Sequence, residues 1–216
     1  MAKSLQLDEY VFVPSHIIPG GERQSYSIYR AKVVAIEDRK VRIVLPDGQL
    51  SALIASSKVH RDVGIAIVSI GDFSTEDTLI VPLAKSALQF FRLLLPEDHI
   101  SAVRVRAIGE LSEWWSKNHA AYTHIILIGH GSSTGLTFGV GGERNAATFQ
   151  RRLGQHGSSA KIFLSLCCET GRRPFASEFS SLPLCESWIA PHQSIHGAVA
   201  SQFLQTFFSL HLLTVC

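Results

Sequence analysis

The sequence predicts an α/β protein with a mostly parallel sheet, helices on both faces, and a small β-rich segment ahead of it. Three observations predict it. Apolar runs of strand length recur after residue 62: GIAIVSI (64–70), AVRVRAI (102–108), THIILIG (123–129) and KIFLSL (161–166). Stretches with apolar residues at helical spacing separate them, and strand–helix–strand alternation with near-continuous apolar strands is the pattern of a parallel sheet covered on both sides. Before residue 62 the texture is different, with short β-like runs and turn residues between them.

Composition bounds the function classes. The 216 residues are 46% hydrophobic and 18% charged, enough apolar material for a large core and too little charge for a disordered chain. Twenty Lys and Arg against eighteen Asp and Glu give a formal charge of +2, which carries no electrostatic footprint for nucleic acid or an anionic membrane. The most apolar stretches, Ser86–Pro96 and Ser201–Cys216, are broken by Arg92, Gln202, Gln205 and His211 and fall short of the roughly 18 apolar residues of a membrane span. Asp8 and Glu9 occupy the place of a signal peptide's apolar region, so a cytoplasmic protein is expected. The cysteines Cys167, Cys168, Cys185 and Cys216 are too clustered for a disulfide framework and form no C-x-x-C pair; reduced thiols are expected.

Each element has its own signal. Residues 1–24, with Pro14, Pro19, Gly20 and Gly21, read as irregular. SYSIYRAKVVAI, KVRIVL and QLSALIAS read as an antiparallel meander, with Pro46-Asp47-Gly48 as the turn between the last two. GIAIVSI is a strand and VPLAKSALQFFRLLL (81–95) a helix that stops at Pro96. AVRVRAI is the next strand, GELSEWWSKNHA (109–120) a helix, and THIILIG a buried strand ending at His130-Gly131. The glycine-rich 135–142 stretch suits a small hairpin, NAATFQRRLGQH (145–156) a helix, and KIFLSL a strand ending at Cys167-Cys168. ESWIA (186–190) is a short strand and 196–213 an amphipathic helix.

In such sheets ligands gather outside the carboxyl ends of the strands. His130-Gly131 and Cys167-Cys168 stand at two of those ends. On neighbouring strands, about 4.8 Å apart, an imidazole can face a thiol. A His and a Cys delivered to one sheet edge suit a cysteine hydrolase, with a thiolate nucleophile and an imidazole moving its proton. The Gly131 N–H could serve an oxyanion. Because side chains alternate, Cys167 and Cys168 should point to opposite faces, and only one can meet His130.

THIILIGHGSSTG followed by KIFLSLCCETG resembles the caspase-like cysteine peptidases, most closely their CHAT branch. The resemblance covers roughly 62–213, with the His-Gly and Cys-Glu-Thr-Gly motifs as its specific parts. It implies Cys168 as nucleophile, His130 as its partner, and the N–H groups of Gly131 and Cys168 as the oxyanion hole. Leu166 departs from the usual Ser two residues before the nucleophile, and related domains usually continue past the final helix.

Other readings compete. Cys167 and Arg173 fit the C-x5-R spacing of a tyrosine-phosphatase loop. Gly131–Gly135 fits G-x-S-x-G, but LTFGVGGE follows where an elbow needs a helix. A catalytically silent caspase-like interaction module is the main alternative. Trp114, Trp115 and the Phe203, Leu204, Phe207, Phe208, Leu210 helix read as core, Arg172 and Arg173 as a solvated loop or an acid-recognising pair. His192 and His196 have no third ligand nearby, and Gly139–Gly142 lacks the context of a dinucleotide site.

The expectation is therefore a small β-rich extension over 1–61 and a CHAT-type peptidase domain over 62–216. Its activity would be a cysteine endopeptidase of the cytoplasm acting on protein or peptide substrates. No metal or organic cofactor, nucleic acid or membrane is expected. Regulation would fall to a protein partner, to oligomerisation or to the N-terminal segment.

Overall fold

The structure, a computed structural model, describes residues 5, 7–8, 10–18, 28–45, 48–60, 63–156 and 160–213. In chain order, β1 (Tyr10–Pro14), β2 (Ile28–Glu37), β3 (Lys40–Ile43) and β4 (Ile54–Ala55) form one antiparallel sheet. β1 lies in the stretch expected to be irregular. Its YVFVP residues pair with β2 through Val11↔Ala31 and Val13↔Tyr29, a long-range partner that local turn residues do not announce. The third run of the meander shortens to Ile54–Ala55, with one further bridge between Val44 and Leu50. Of the expected turn, Pro46 and Asp47 lie outside the described residues. Gly48 sits at φ +81°, the conformation glycine was expected to supply. Val11, Val13, Val33, Val41 and Ile43 form this sheet's own core.

The second unit is a five-stranded, wholly parallel sheet. β5 (Ile65–Ile70) leads into α1 (Val81–Arg92), β6 (Ile100–Val105), α2 (Ile108–Asn118) and β7 (His124–Ile128). A hairpin-like sheet follows, of β8 (His130–Gly131), β9 (Leu136–Phe138) and β10 (Gly142–Arg144). Then come α3 (Ala146–Leu153), β11 (Lys161–Ser165), α4 (Phe175–Ser180), β12 (Cys185–Ile189) and α5 (Gly197–Leu213). The strand order is β12-β11-β7-β5-β6. Helix α4 sits in a stretch expected to be a loop; Phe175 and Phe179 bury there against Trp188, so tertiary packing makes a helix of six residues that propensity would not.

Period-two alternation decides which helix covers which face. Ala66, Val68, Ile70, Ile125, Leu127 and Phe163 face the core shared with α2, α3 and α4. Ile65, Ile67, Ile126, Ile128 and Leu164 face α1 and α5. Each buried Ile, Leu or Phe contributes about 1.5–3 kcal/mol of burial. Trp115 is fully buried and stacks on Phe163, with centroids 6.1 Å apart. The last helix is only partly core: Leu204 and Phe208 are buried, whereas Phe203 and Leu210 are exposed. Among the described residues, no helix is long and apolar enough to cross a membrane.

Several helix starts carry caps. Pro82 stands in the first turn of α1. Asn145 accepts from Thr148 N–H to open α3, and His196 Nδ1 accepts from Ala198 N–H at the start of α5. Before α1 the chain makes one π-helical turn, Glu76–Ile80, whose Glu76 carboxylate takes bidentate bonds from Arg106 (2.8 and 2.9 Å) and one contact from Arg104 (2.9 Å). These guanidiniums, Arg106 first, hold the Glu76 carboxyl below the usual carboxylate range.

Candidate active site

Three strand ends meet at one edge of the parallel sheet. β7 lies between β5 and β11, so the residues that follow these strands are spatial neighbours. Asp72 follows β5, His130 follows β7 and Cys168 follows β11.

The loop after β5 is organised by Asp72. Its Oδ1 accepts from Ser74 N–H (2.7 Å), Ser74 Oγ (2.9 Å) and Thr75 N–H (2.6 Å), and its Oδ2 accepts from Thr75 Oγ1 (3.0 Å). With the Thr75 N–H as the largest cause, these bonds hold the carboxyl down to about 2. Asp72 is thus ionised across the physiological range.

His130 turns toward this loop. Its Nε2 lies 3.1 Å from Asp72 Oδ2 and 2.6 Å from Thr75 Oγ1. Thr75 Oγ1 already donates to Asp72, and an ionised carboxylate only accepts, so Nε2 carries the proton and donates. With Nε2 turned to Asp72 and Thr75, Nδ1 is the ring nitrogen these partners leave unused. Asp72 and Thr75 were not among the residues singled out from sequence. Their signal was present in Gly71-Asp72-Phe73-Ser74-Thr75 before a helical run, the Asp/Ser/Thr pattern of a helix entrance.

The two adjacent thiols part as the strand alternation requires. Cys167 belongs to the core under α2–α4, its Sγ 3.7 Å from Leu127 O and its N–H bonded to Ser165 Oγ at 3.2 Å. Burial pushes this thiol up to about 12, which leaves it a core hydrophobe and removes the phosphatase-loop arrangement that needs Cys167 open. Cys168 is half-buried on the other side, with Sγ 4.0 Å from Ile195 O. Among the described residues no hydrogen bond joins Cys168 Sγ to His130. The structure brings the pair to one edge without closing their contact.

A tight turn fixes Cys168. Glu169 adopts φ +60°, a left-handed conformation uncommon for a residue with a Cβ. Buried Thr170 holds the turn, donating to Cys167 O at 2.8 Å and sharing a 2.8 Å bond with Ser165 Oγ, while Trp188 Nε1 donates to Thr170 O at 3.0 Å. Gly131 is pressed against this turn. A Cβ there would meet Thr170 Cγ2 at 2.5 Å, Cys167 Cβ at 3.1 Å and Cys168 O at 3.2 Å, so glycine is required by space. Ser132 N–H bonds Gly135 O, and Gly131 pairs with Leu136. The alternation of an antiparallel pair therefore directs the Gly131 N–H away from β9. The Ser133 that fits G-x-S-x-G is followed by strand β9, not by a helix.

Beyond the turn, Arg172 pairs with Glu169 at 3.2 Å. With Arg173, Ser177, Trp188 and His192 it lines a cleft of about 610 Å³ on the α4 side. A second cavity of about 230 Å³ lies on the α5 side, lined by Leu166, Ile189, Pro191, Ile195, Val199 and Phe203.

No family model matches the chain, and no curated protein matches it.

Proposed function

We propose that this chain is a cysteine peptidase of the caspase-like, CHAT type, with Cys168 as nucleophile and His130 as its proton carrier. The observation that carries the reading is the ordered edge itself. An imidazole locked in one tautomer by Asp72 and Thr75 stands on the strand next to a half-buried thiol held on a strained turn. The arrangement of β12-β11-β7-β5-β6 supports it, since both groups follow adjacent central strands.

In the proposed reaction, Nδ1 of His130 takes the Cys168 proton and the thiolate attacks the scissile carbonyl carbon, forming a C–S bond. The carbonyl oxygen becomes an oxyanion beside the Gly131 and Cys168 N–H groups. Collapse breaks the C–N bond, and His130 delivers its proton to the leaving amine. Water then attacks the thioester, gives one proton to His130, and the C–S bond breaks to release the acid. Asp72 stays ionised and stabilises the transient imidazolium.

The resting gap between Cys168 and His130 favours one further element: an event that closes the contact, supplied by substrate, a protein partner or oligomerisation. The same gap supports the silent interaction module as the second reading. Iodoacetamide labelling near pH 6 with peptide mapping tests both, because an ordinary thiol is almost wholly protonated there. Selective labelling of Cys168, slowed in His130→Ala, is the expected result. Labelling of Cys168 only after denaturation, with and without peptide substrate, favours the silent module.

A further inference from the structure

We infer that the cavity on the α5 side is the pocket for the residue on the acyl side of the scissile bond, and that it selects a large aliphatic side chain such as Leu. This rests on the peptidase reading above.

Position is the first argument. Ile195 is a common wall: its carbonyl oxygen is the nearest polar contact of Cys168 Sγ, at 4.0 Å, while the residue itself lines the cavity. Leu166, on another wall, lies two residues before the nucleophile on the same chain. A substrate whose carbonyl carbon rests on Cys168 places its preceding side chain beside Ile195, the wall that thiol and cavity share.

Rigidity is the second. The loop 190–196, which supplies Pro191 and Ile195, is tied to the nucleophile turn by Gly171 N–H to Pro191 O (2.8 Å) and Glu169 N–H to Gln193 O (3.4 Å). The pocket and the thiol therefore keep their register, as a specificity site requires.

Chemistry is the third. Leu166, Ile189, Pro191, Ile195, Val199 and Phe203 carry no charge, and an ion entering among them would lose its hydration without a partner. At about 230 Å³ the space is below the roughly 300–1,000 Å³ of small-molecule sites and suits one side chain. Val199 and Phe203 are 56% and 45% exposed, apolar surface that an incoming side chain would cover. The larger basic cleft is the competing pocket for an acidic residue. Among the described residues none of its lining hydrogen-bonds Cys168 Sγ, and one of its two arginines is already paired with Glu169.

The test uses the full chain and three N-acetyl tripeptide aldehydes that differ only in the last residue: Leu, Asp or Arg. The thiol adds to the aldehyde carbon, its proton passes to the oxygen, and the resulting hemithioacetal shields Cys168 from iodoacetamide. The Leu aldehyde should protect Cys168 at a concentration about 10- to 100-fold lower than the other two. Val199→Glu should weaken the Leu aldehyde and improve the Arg aldehyde, and Phe203→Ala should weaken the Leu aldehyde alone. Equal protection by all three, or strongest protection by the Asp aldehyde, overturns the pocket while leaving the reactive thiol in place. A Cys168 that iodoacetamide labels only after denaturation overturns the peptidase reading and the pocket with it.

Discussion

Asp72 Oδ2 stands 3.1 Å from His130 Nε2, and Thr75 Oγ1 bridges the two groups. The carboxylate that opens the helix entrance after β5 is therefore also the one that sets the histidine's tautomer. Asp72→Asn keeps an acceptor for the Ser74 and Thr75 N–H groups but removes the charge that favours imidazolium. On the proposed peptidase reading the rate of peptide cleavage falls about 10²- to 10⁴-fold, and the melting temperature falls as well, because the bonds that hold the Asp72 carboxyl down also stabilise the folded chain. Thr75→Val should cost less. The sign of the pH effect follows from a carboxyl held down to about 2. Its contribution is whole above pH 4 and is lost as pH falls toward 2, so the acid limb of the wild-type rate profile is not set by Asp72.

Native alkylation should separate three cysteines by burial. Cys167 is pushed up to about 12 and Cys185 up to about 11, each chiefly by burial. At pH 8 iodoacetamide should modify Cys168 and leave both of these intact until the chain unfolds, as read by peptide mass. On the proposed peptidase reading, Cys168→Ala should abolish peptide cleavage. Cys167→Ala should keep most of it, at a stability cost on the order of 1 kcal/mol.

Gly131→Ala tests the close approach to the Cys168 turn. The added methyl meets Thr170 Cγ2 at 2.5 Å and Cys167 Cβ at 3.1 Å. A loss of about 1–3 kcal/mol and a large loss of activity are expected. Adding Thr170→Ser deletes the offending methyl and keeps the hydroxyl that bonds Cys167 O, so the double variant should regain stability in urea denaturation.

A cluster of histidines at the opposite end of the sheet gives a pH-dependent stability. His124 Nε2 and His211 Nε2 are 3.2 Å apart, and His60 lies over His211 with centroids at 6.3 Å. Burial first, then His211 and His60, bring His124 down to about 3; burial also lowers His60 and His211. A histidine depressed on folding binds its proton in the unfolded chain first, so stability is full above about pH 6.5 and declines as pH falls toward 3. The slope for one such group is about 1.4 kcal/mol per pH unit. Urea midpoints measured from pH 7.5 to pH 4.5 should fall with pH, and His124→Phe should flatten the curve.

The parallel sheet was legible because four of its five strands lie in largely apolar runs bounded by turns, and most of the helices because their apolar spacing is regular. The site was half legible. His130 and Cys168 stand out at strand ends, whereas Asp72 acts from a distant loop and only the pairing of β5 with β7 brings it near. β1 was invisible for the same reason: its strand character comes from β2, across residues that carry turn signals. α4 depends on Trp188 meeting Phe175 and Phe179, a contact written nowhere in the local pattern. The exposure of Phe203 and Leu210 escaped too, since periodicity reports an apolar face without reporting how wide a face the neighbours cover.

Phe12 meets His99 edge-on at 4.8 Å and bridges to His60, and His60 in turn lies by His211. The antiparallel sheet thus rests on the amino ends of the parallel strands, while the thiol and imidazole stand at their carboxyl ends. A strand of five residues such as β7 separates those ends by about 17 Å. A small group bound on the antiparallel sheet would therefore stand a full strand length from Cys168 and His130 and could reach them only through the strands that join the two ends.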